Sequence, residues 1–348
     1  MPTQAPINIL QPFQQQLVGN WQNADFEGET VGGPENPLSY NIMPLPEKAD
    51  PNGYILKNFR YHEKLHFNDD NASNTLAIAA QAPNRGGQID QVATAIFYEQ
   101  QVQFAEGPAT GNVVHVENGT WLWLPRYIQQ PGPYPNPFPG ALVSAALQQP
   151  ADILIAKQIA VPHGNSILAL GSIDKTHKFD GIGESDDSYL LPGAPVIPDG
   201  GSPFPMLALP VPVTDGTPPP AVLISNLNAD ERYSTARGNP NDFQNPNPDF
   251  TLNPNLPLQQ AVHCIKPDHY MHWHVTTQQL SNGKGIVTNV PFERRVSEVT
   301  DYIADYWMLF KGTKKYLAYT QTILMRLTIN KAHYIFPHLT CNTVTYCD

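Results

Sequence analysis

The sequence predicts an all-β chain: an up-and-down barrel of roughly ten antiparallel strands, interrupted by a long proline-rich insertion. Three observations predict it. Charged residues make up only 15% of the 348, and proline is abundant at 36, a balance that disfavours helix bundles. Apolar and polar residues alternate over most of the chain outside two proline-rich stretches, which is the period of a strand with one buried face. The strand-like runs follow one another mostly as hairpins, the order expected of strands wound around a ligand cavity.

Taken in order, Ile9 to Val18 reads as a short helix ahead of Gly19-Asn20-Trp21. Tyr54 to Phe67 alternates over much of its length, and Thr75 to Ala82 and Val92 to Phe104 read as strands after it. Asn112 to Leu124 holds two strand-like runs separated by Asn118-Gly119, the dipeptide that best fits a two-residue hairpin turn. Ile153 to Val161 and Ser166 to Ile173 form a second hairpin around His163-Gly164-Asn165. The remaining strands are His269 to Gln279, Gly285 to Val290, Glu293 to Lys311, Lys315 to Thr328 and Tyr334 to Tyr346. Within Glu293 to Phe310, Val296, Val299, Ile303 and Trp307 also have helical spacing, but the β-branched content favours strand.

Proline lacks the amide donor and fixes φ, so the two proline-rich stretches cannot form central strands. We read 125–140 as a loop and 180–257 as an insertion over the barrel, all within one domain spanning 1–348. The net charge is −11, and the only cationic cluster is Lys311, Lys314 and Lys315, so nucleic acid is not an expected partner. No apolar run reaches membrane-spanning length, so no membrane partner is expected. The residues from Met1 to Pro6 carry no secretory signal pattern, and three sparse cysteines make no disulfide framework. The expected location is therefore cytoplasmic.

Candidate site residues fall on the last strands. His338 lies on the closing strand, and a histidine held rigidly against an apolar wall can ligate a haem iron. Ile335, Phe336, Leu339, Leu324, Met325 and Leu327 could supply that wall. His272 and His274 at i and i+2 share one strand face, which suits a metal. Their run, with Gln278 and Gly285, resembles the first cupin motif with glutamine in place of glutamate. Ile335 stands where the second cupin motif has a glycine, although His338 and Asn342 keep its spacing. Otherwise His272 and His274 line the cavity or hydrogen-bond across strands. His62 and His66 read as a solvated rim with Glu63 on the opposite face, and His115 with Glu117 as a polar pair. No paired acidic motif stands out.

The ordered set of segments resembles the nitrobindin-like haem-binding barrels, relatives of the fatty-acid-binding proteins within the calycin and lipocalin-like folds. The segments are Leu17-Val18-Gly19-Asn20-Trp21, Phe59 to Phe67, His115-Val116-Glu117-Asn118-Gly119-Thr120-Trp121, Leu317-Ala318-Tyr319-Thr320 and Pro337-His338-Leu339-Thr340. The chain departs from the pattern after Trp21. There Gln22-Asn23-Ala24-Asp25 replaces the family's alternating glycines and Tyr-Pro pair, and the proline-rich stretches are additions. The resemblance implies haem b with His338 as the proximal iron ligand, Tyr319 and Leu339 as cofactor contacts, and His272 and His274 on the distal face. It further implies ferric haem reacting with nitric oxide, peroxynitrite or peroxide, as a peroxynitrite isomerase or peroxidase-like enzyme. Two other functions are expected alternatives: a non-enzymatic carrier of a hydrophobic small molecule, and a cupin-like metal-dependent enzyme using His272 and His274.

Overall fold

A computed structural model describes residues 15–26, 32, 37–46, 54–68, 82–83, 90–91, 94–105, 108–123, 155–161, 165–173, 177–178, 211–212, 255–277, 288–291, 297–329 and 332–347. In chain order its strands are β1 (Gly19–Asn23), β2 (Tyr40–Pro46), β3 (Tyr54–Phe59), β4 (Tyr61–Phe67), β5 (Ala82–Pro83) and β6 (Asp90–Gln91). Then come β7 (Thr94–Phe104), β8 (Val113–Trp123), β9 (Ile155–Val161), β10 (Asn165–Ile173), β11 (His177–Lys178) and β12 (Val211–Pro212). Helix α1 (Asn255–Ile265) precedes β13 (His269–Thr276), β14 (Thr288–Pro291), β15 (Ser297–Lys311), β16 (Lys314–Ile329) and β17 (Ala332–Cys347).

Ten of these strands close a barrel in the order β1-β4-β7-β8-β9-β10-β13-β15-β16-β17, with β17 pairing back to β1. All the neighbouring pairs are antiparallel, and Trp21 opposite Tyr346 marks the closing seam. The all-β, ten-stranded barrel expected from the sequence is therefore the observed fold. The β2–β3 pair adds to the free length of β17 beyond β1, through Leu339 to Cys341.

Alternation along each strand sorts residues to the two faces. Tyr61, Glu63, Leu65 and Phe67 of β4 are buried, while His62, Lys64 and His66 are not. Trp21, Trp121, Trp273, Tyr306 and Val344 meet inside with Leu17 from the helical turn at 15–17. A second apolar layer lies outside the barrel wall. There Leu258, Ala261, Val262 and Ile265 of α1 pack on Trp307, Leu309, Ala318 and Leu339. This layer explains the ambiguous spacing in β15: Tyr306 faces the inner core and Trp307 the outer one, so both faces are apolar and the alternation is lost.

Three expectations are corrected. Asn118-Gly119 is not a turn but the middle of β8, where Glu99 pairs with Asn118 and Tyr98 with Gly119. Glycine is required there by close approach. A Cβ would overlap the Gln158 carbonyl and lie 2.6 Å from the Tyr98 hydroxyl. Gly119→Ala is thus expected to destabilise the barrel by about 1–3 kcal/mol through overpacking, read as a lower urea midpoint at unchanged slope. Secondly, the run from Tyr54 to Phe67 breaks at Arg60 into β3 and β4, which pair with different partners.

Thirdly, 255–257 at the end of the proline-rich insertion opens helix α1, which the sequence reading missed. Pro257 is tolerated there because the first turn of a helix needs no amide donor from it. Of the insertion, only Val211–Pro212 and 255–257 lie within the described residues, and the 125–140 loop lies outside them. Residues 75–81 and 9–14 lie outside them as well.

Candidate functional site

The inner face carries charged residues where a barrel core should be apolar. Glu63 on β4, Glu117 on β8 and Lys157 on β9 are 1%, 4% and 2% exposed. Burying an ion is costly unless it is paired and hydrogen-bonded, and two of the three are paired. Lys157 Nζ donates to the Tyr306 hydroxyl at 2.7 Å, the Tyr302 hydroxyl at 3.0 Å and Glu117 Oε1 at 3.4 Å. The ammonium also lies 5.0 Å from the Tyr98 ring centroid and 5.7 Å from that of Trp121, within cation–π range. Tyr98 donates to Glu117 Oε1 at 2.6 Å, and Tyr302 to Gln321 Oε1 at 3.0 Å.

Glu63 sits in a second set of donors. Gln100 Nε2 donates to its Oε1 at 2.6 Å. The Tyr319 hydroxyl and Asn342 Nδ2 each donate to its Oε2 at 2.7 Å. Tyr61 joins the set through its hydroxyl, 2.9 Å from that of Tyr319. Between the two sets lies a cavity of about 20 Å³, lined by Glu63, Gln100, Glu117, Lys157, Tyr306 and Tyr319 among others. A space of that size holds about one water. A larger open groove of about 480 Å³ crosses the wall over β1, β4, β7 and β8, and Gln100 and Glu117 are among the residues that line it.

Electrostatics divides the two carboxyls. Burial pushes Glu117 up, but the Lys157 ammonium and His115 outweigh it and hold the carboxyl at about 2. Burial likewise pulls Lys157 down, and Tyr306 and Glu117 overcome it and hold the ammonium protonated. Glu63 has no such cation. Burial dominates there and raises its pKa, against the hydrogen bonds from Tyr319, Asn342 and Gln100. Burial also keeps Tyr61, Tyr98, Tyr302 and Tyr319 protonated.

Since Glu117 is more acidic folded than unfolded, its contribution is complete above its unfolded pKa and is lost as pH falls. That contribution is about 3 kcal/mol, disappearing between about pH 5 and about pH 2. Glu63 runs the other way: its contribution is present below its unfolded pKa and fades as pH rises through its folded one. Glu117→Gln is expected to flatten the acid limb of a stability–pH profile measured by urea unfolding. An acid limb unchanged in that variant would contradict the assignment.

The expected site residues are spread over both faces. Tyr319 is inside, bound to Glu63. His338 has the inward parity of Asn342 and Val344, pairs with Ile323 and is half-buried. Leu339 points the opposite way, into the layer under α1. His272 and His274 also face outward, because their neighbours Met271, Trp273 and Val275 take the inner positions. They do not line the cavity. They hydrogen-bond across strands: His272 Nε2 and His274 Nδ1 each lie 2.9 Å from Asp305 Oδ1. His272 further stacks on Trp307 at 5.3 Å.

Burial lowers the His274 pKa, but the hydrogen bond and charge of Asp305 raise it overall. Asp305→Asn is therefore expected to lower that pKa, as an NMR titration of the imidazole resonances would report. No shift on substitution would contradict the pairing. Among the described residues no group of three or more His, Cys, Asp or Glu is arranged to hold a metal.

The described residues at the barrel centre do not fit a haem. The cavity beside Tyr319 is about 20 Å³, room for about one water and far too small for a porphyrin, and Glu63, Glu117 and Lys157 are among its lining residues. The residues that do converge there, Glu63, Glu117 and Lys157, were not singled out from the sequence as a site. A signal existed: each is a charged residue at an apolar parity, as in Tyr61-x-Glu63-x-Leu65-x-Phe67 and Ile155-x-Lys157-x-Ile159. A search of protein-family models and of curated proteins finds no match for this chain.

Proposed function

We propose that the chain is a small-molecule-binding β-barrel whose ligand is small and polar and sits in the core beside Lys157. The observation that carries this reading is the buried, protonated Lys157 held by Tyr306, Tyr302 and Glu117 at the edge of a cavity. Polar groups with shifted ionisation that converge on a cavity are the ordinary starting point for locating a binding site. A cavity with room for about one water suits a ligand of few heavy atoms that displaces it. A long apolar chain finds neither the volume nor the surface there.

One observation favours a second reading, haem ligation: His338 faces inward on the closing strand. Thermal shifts with formate, oleate and hemin separate the readings. Formate is expected to raise the Tm of the wild type and not that of the Lys157→Met/Glu117→Gln double variant, which removes both charges together. A Soret band with hemin that is lost in His338→Ala would overturn this reading in favour of haem. Stabilisation by oleate alone would overturn it in favour of an apolar carrier.

A further inference from the structure

The core holds two carboxyls and one ammonium. Glu117 takes the ammonium, which leaves Glu63 buried with no ion-pair partner among the described residues. A carboxylate offers about four lone-pair positions. Three are occupied on Glu63, two on Oε2 by Tyr319 and Asn342 and one on Oε1 by Gln100. The position left over is on Oε1, and Glu63 lines the central cavity. The titratable groups around it are Tyr61 on its own strand, Tyr98 and Glu117 on β7 and β8, Lys157 on β9, and Tyr306 and Tyr319 on β15 and β16. The one cation among them is already bonded to Glu117, Tyr302 and Tyr306.

We propose that Glu63 stands in the folded barrel as a neutral carboxylic acid, and that its Oε1 proton donates a hydrogen bond to an oxygen of the core ligand. The inference deepens the core-ligand reading and rests on it for its second half. It names the ligand class: a small molecule with a carboxylate or carbonyl oxygen, accepting from Glu63 in the cavity that Lys157 also lines, the three N–H groups of Lys157 being already given to Glu117, Tyr302 and Tyr306. Burial without a counter-charge favours the neutral acid, against the three donors on its oxygens, and a carboxyl held neutral by its site is a hydrogen-bond donor at neutral pH. A neutral Glu63 also balances the core, with Lys157 and Glu117 cancelling.

Infrared spectroscopy of the whole chain tests it, with formate and ammonium as probes. At neutral pH the wild type is expected to show a protonated-carboxyl C=O stretch that Glu63→Gln removes, the amide being a neutral isostere that keeps the fold. Saturating formate is expected to shift that band to lower frequency, and ammonium at equal ionic strength is expected not to. Absence of the band at neutral pH, or a band that survives in Glu63→Gln, overturns the neutral acid. A band present but unmoved by formate, with no thermal shift either, overturns the core-ligand reading and the donation while the neutral acid stands.

Discussion

Lys157→Met is expected to lower the free energy of unfolding by about 3–5 kcal/mol, the range for removing one partner of a buried ion pair. Most of that loss is not the attraction itself. It is the cost of leaving Glu117, 4% exposed, without its counter-charge. Tyr302 and Tyr306 lose a donor at the same time, at 3.0 and 2.7 Å. Adding Glu117→Gln removes the stranded charge, so the double variant is expected to recover much of the stability. Urea unfolding of both variants and wild type measures this coupling. A double variant no more stable than Lys157→Met would show that the pair is not the coupled unit described.

Trp121→Ala is expected to cost about 3–5 kcal/mol, as large aromatic truncations in cores do. Trp121 is almost fully buried and meets Trp273 edge-on at 6.2 Å and Tyr306 edge-on at 5.2 Å. Trp273 in turn stacks on Tyr306 at 5.4 Å with the rings 5° apart. Both neighbours are themselves packed, so the void cannot readily collapse. The substitution also opens one wall of the Lys157 cage. A loss under about 1 kcal/mol would mean the rings repack, against the close packing described.

The barrel was legible in the sequence because its strands bury one face and solvate the other, and alternation reports that directly. Where the physics differed, the reading failed for identifiable reasons. Asn118-Gly119 has the chemistry of a hairpin turn, but Gly119 was serving the close approach of Gln158 and Tyr98 from neighbouring strands. That requirement is set by residues 21 and 39 positions away, and no local pattern contains it. The helix α1 did leave a signal, since Leu258, Ala261, Val262 and Ile265 have helical spacing; the prolines before it hid the start.

Legibility of the site followed the same division. Parity along β17 puts His338 with Asn342 and Val344 on the inner face and Leu339, on the opposite parity, in the outer layer. Parity also shows that His272 and His274 share a face, but not which face. That depends on Met271, Trp273 and Val275 being the more apolar set. The ionic core was the hardest part to foresee. Glu63, Glu117 and Lys157 come from three strands, and their convergence is a product of register: Trp121 opposite Lys157 on β8 and β9, and Glu63 opposite Val102 on β4 and β7.

As proposed, the core around Lys157 and Glu63 receives a small ligand through an acceptor oxygen. Isothermal titration of formate into wild type and into Lys157→Met/Glu117→Gln tests it most directly. A saturable heat in the wild type that is absent from the double variant is the predicted result. No saturable heat in the wild type, or the same heat in both proteins, would contradict it.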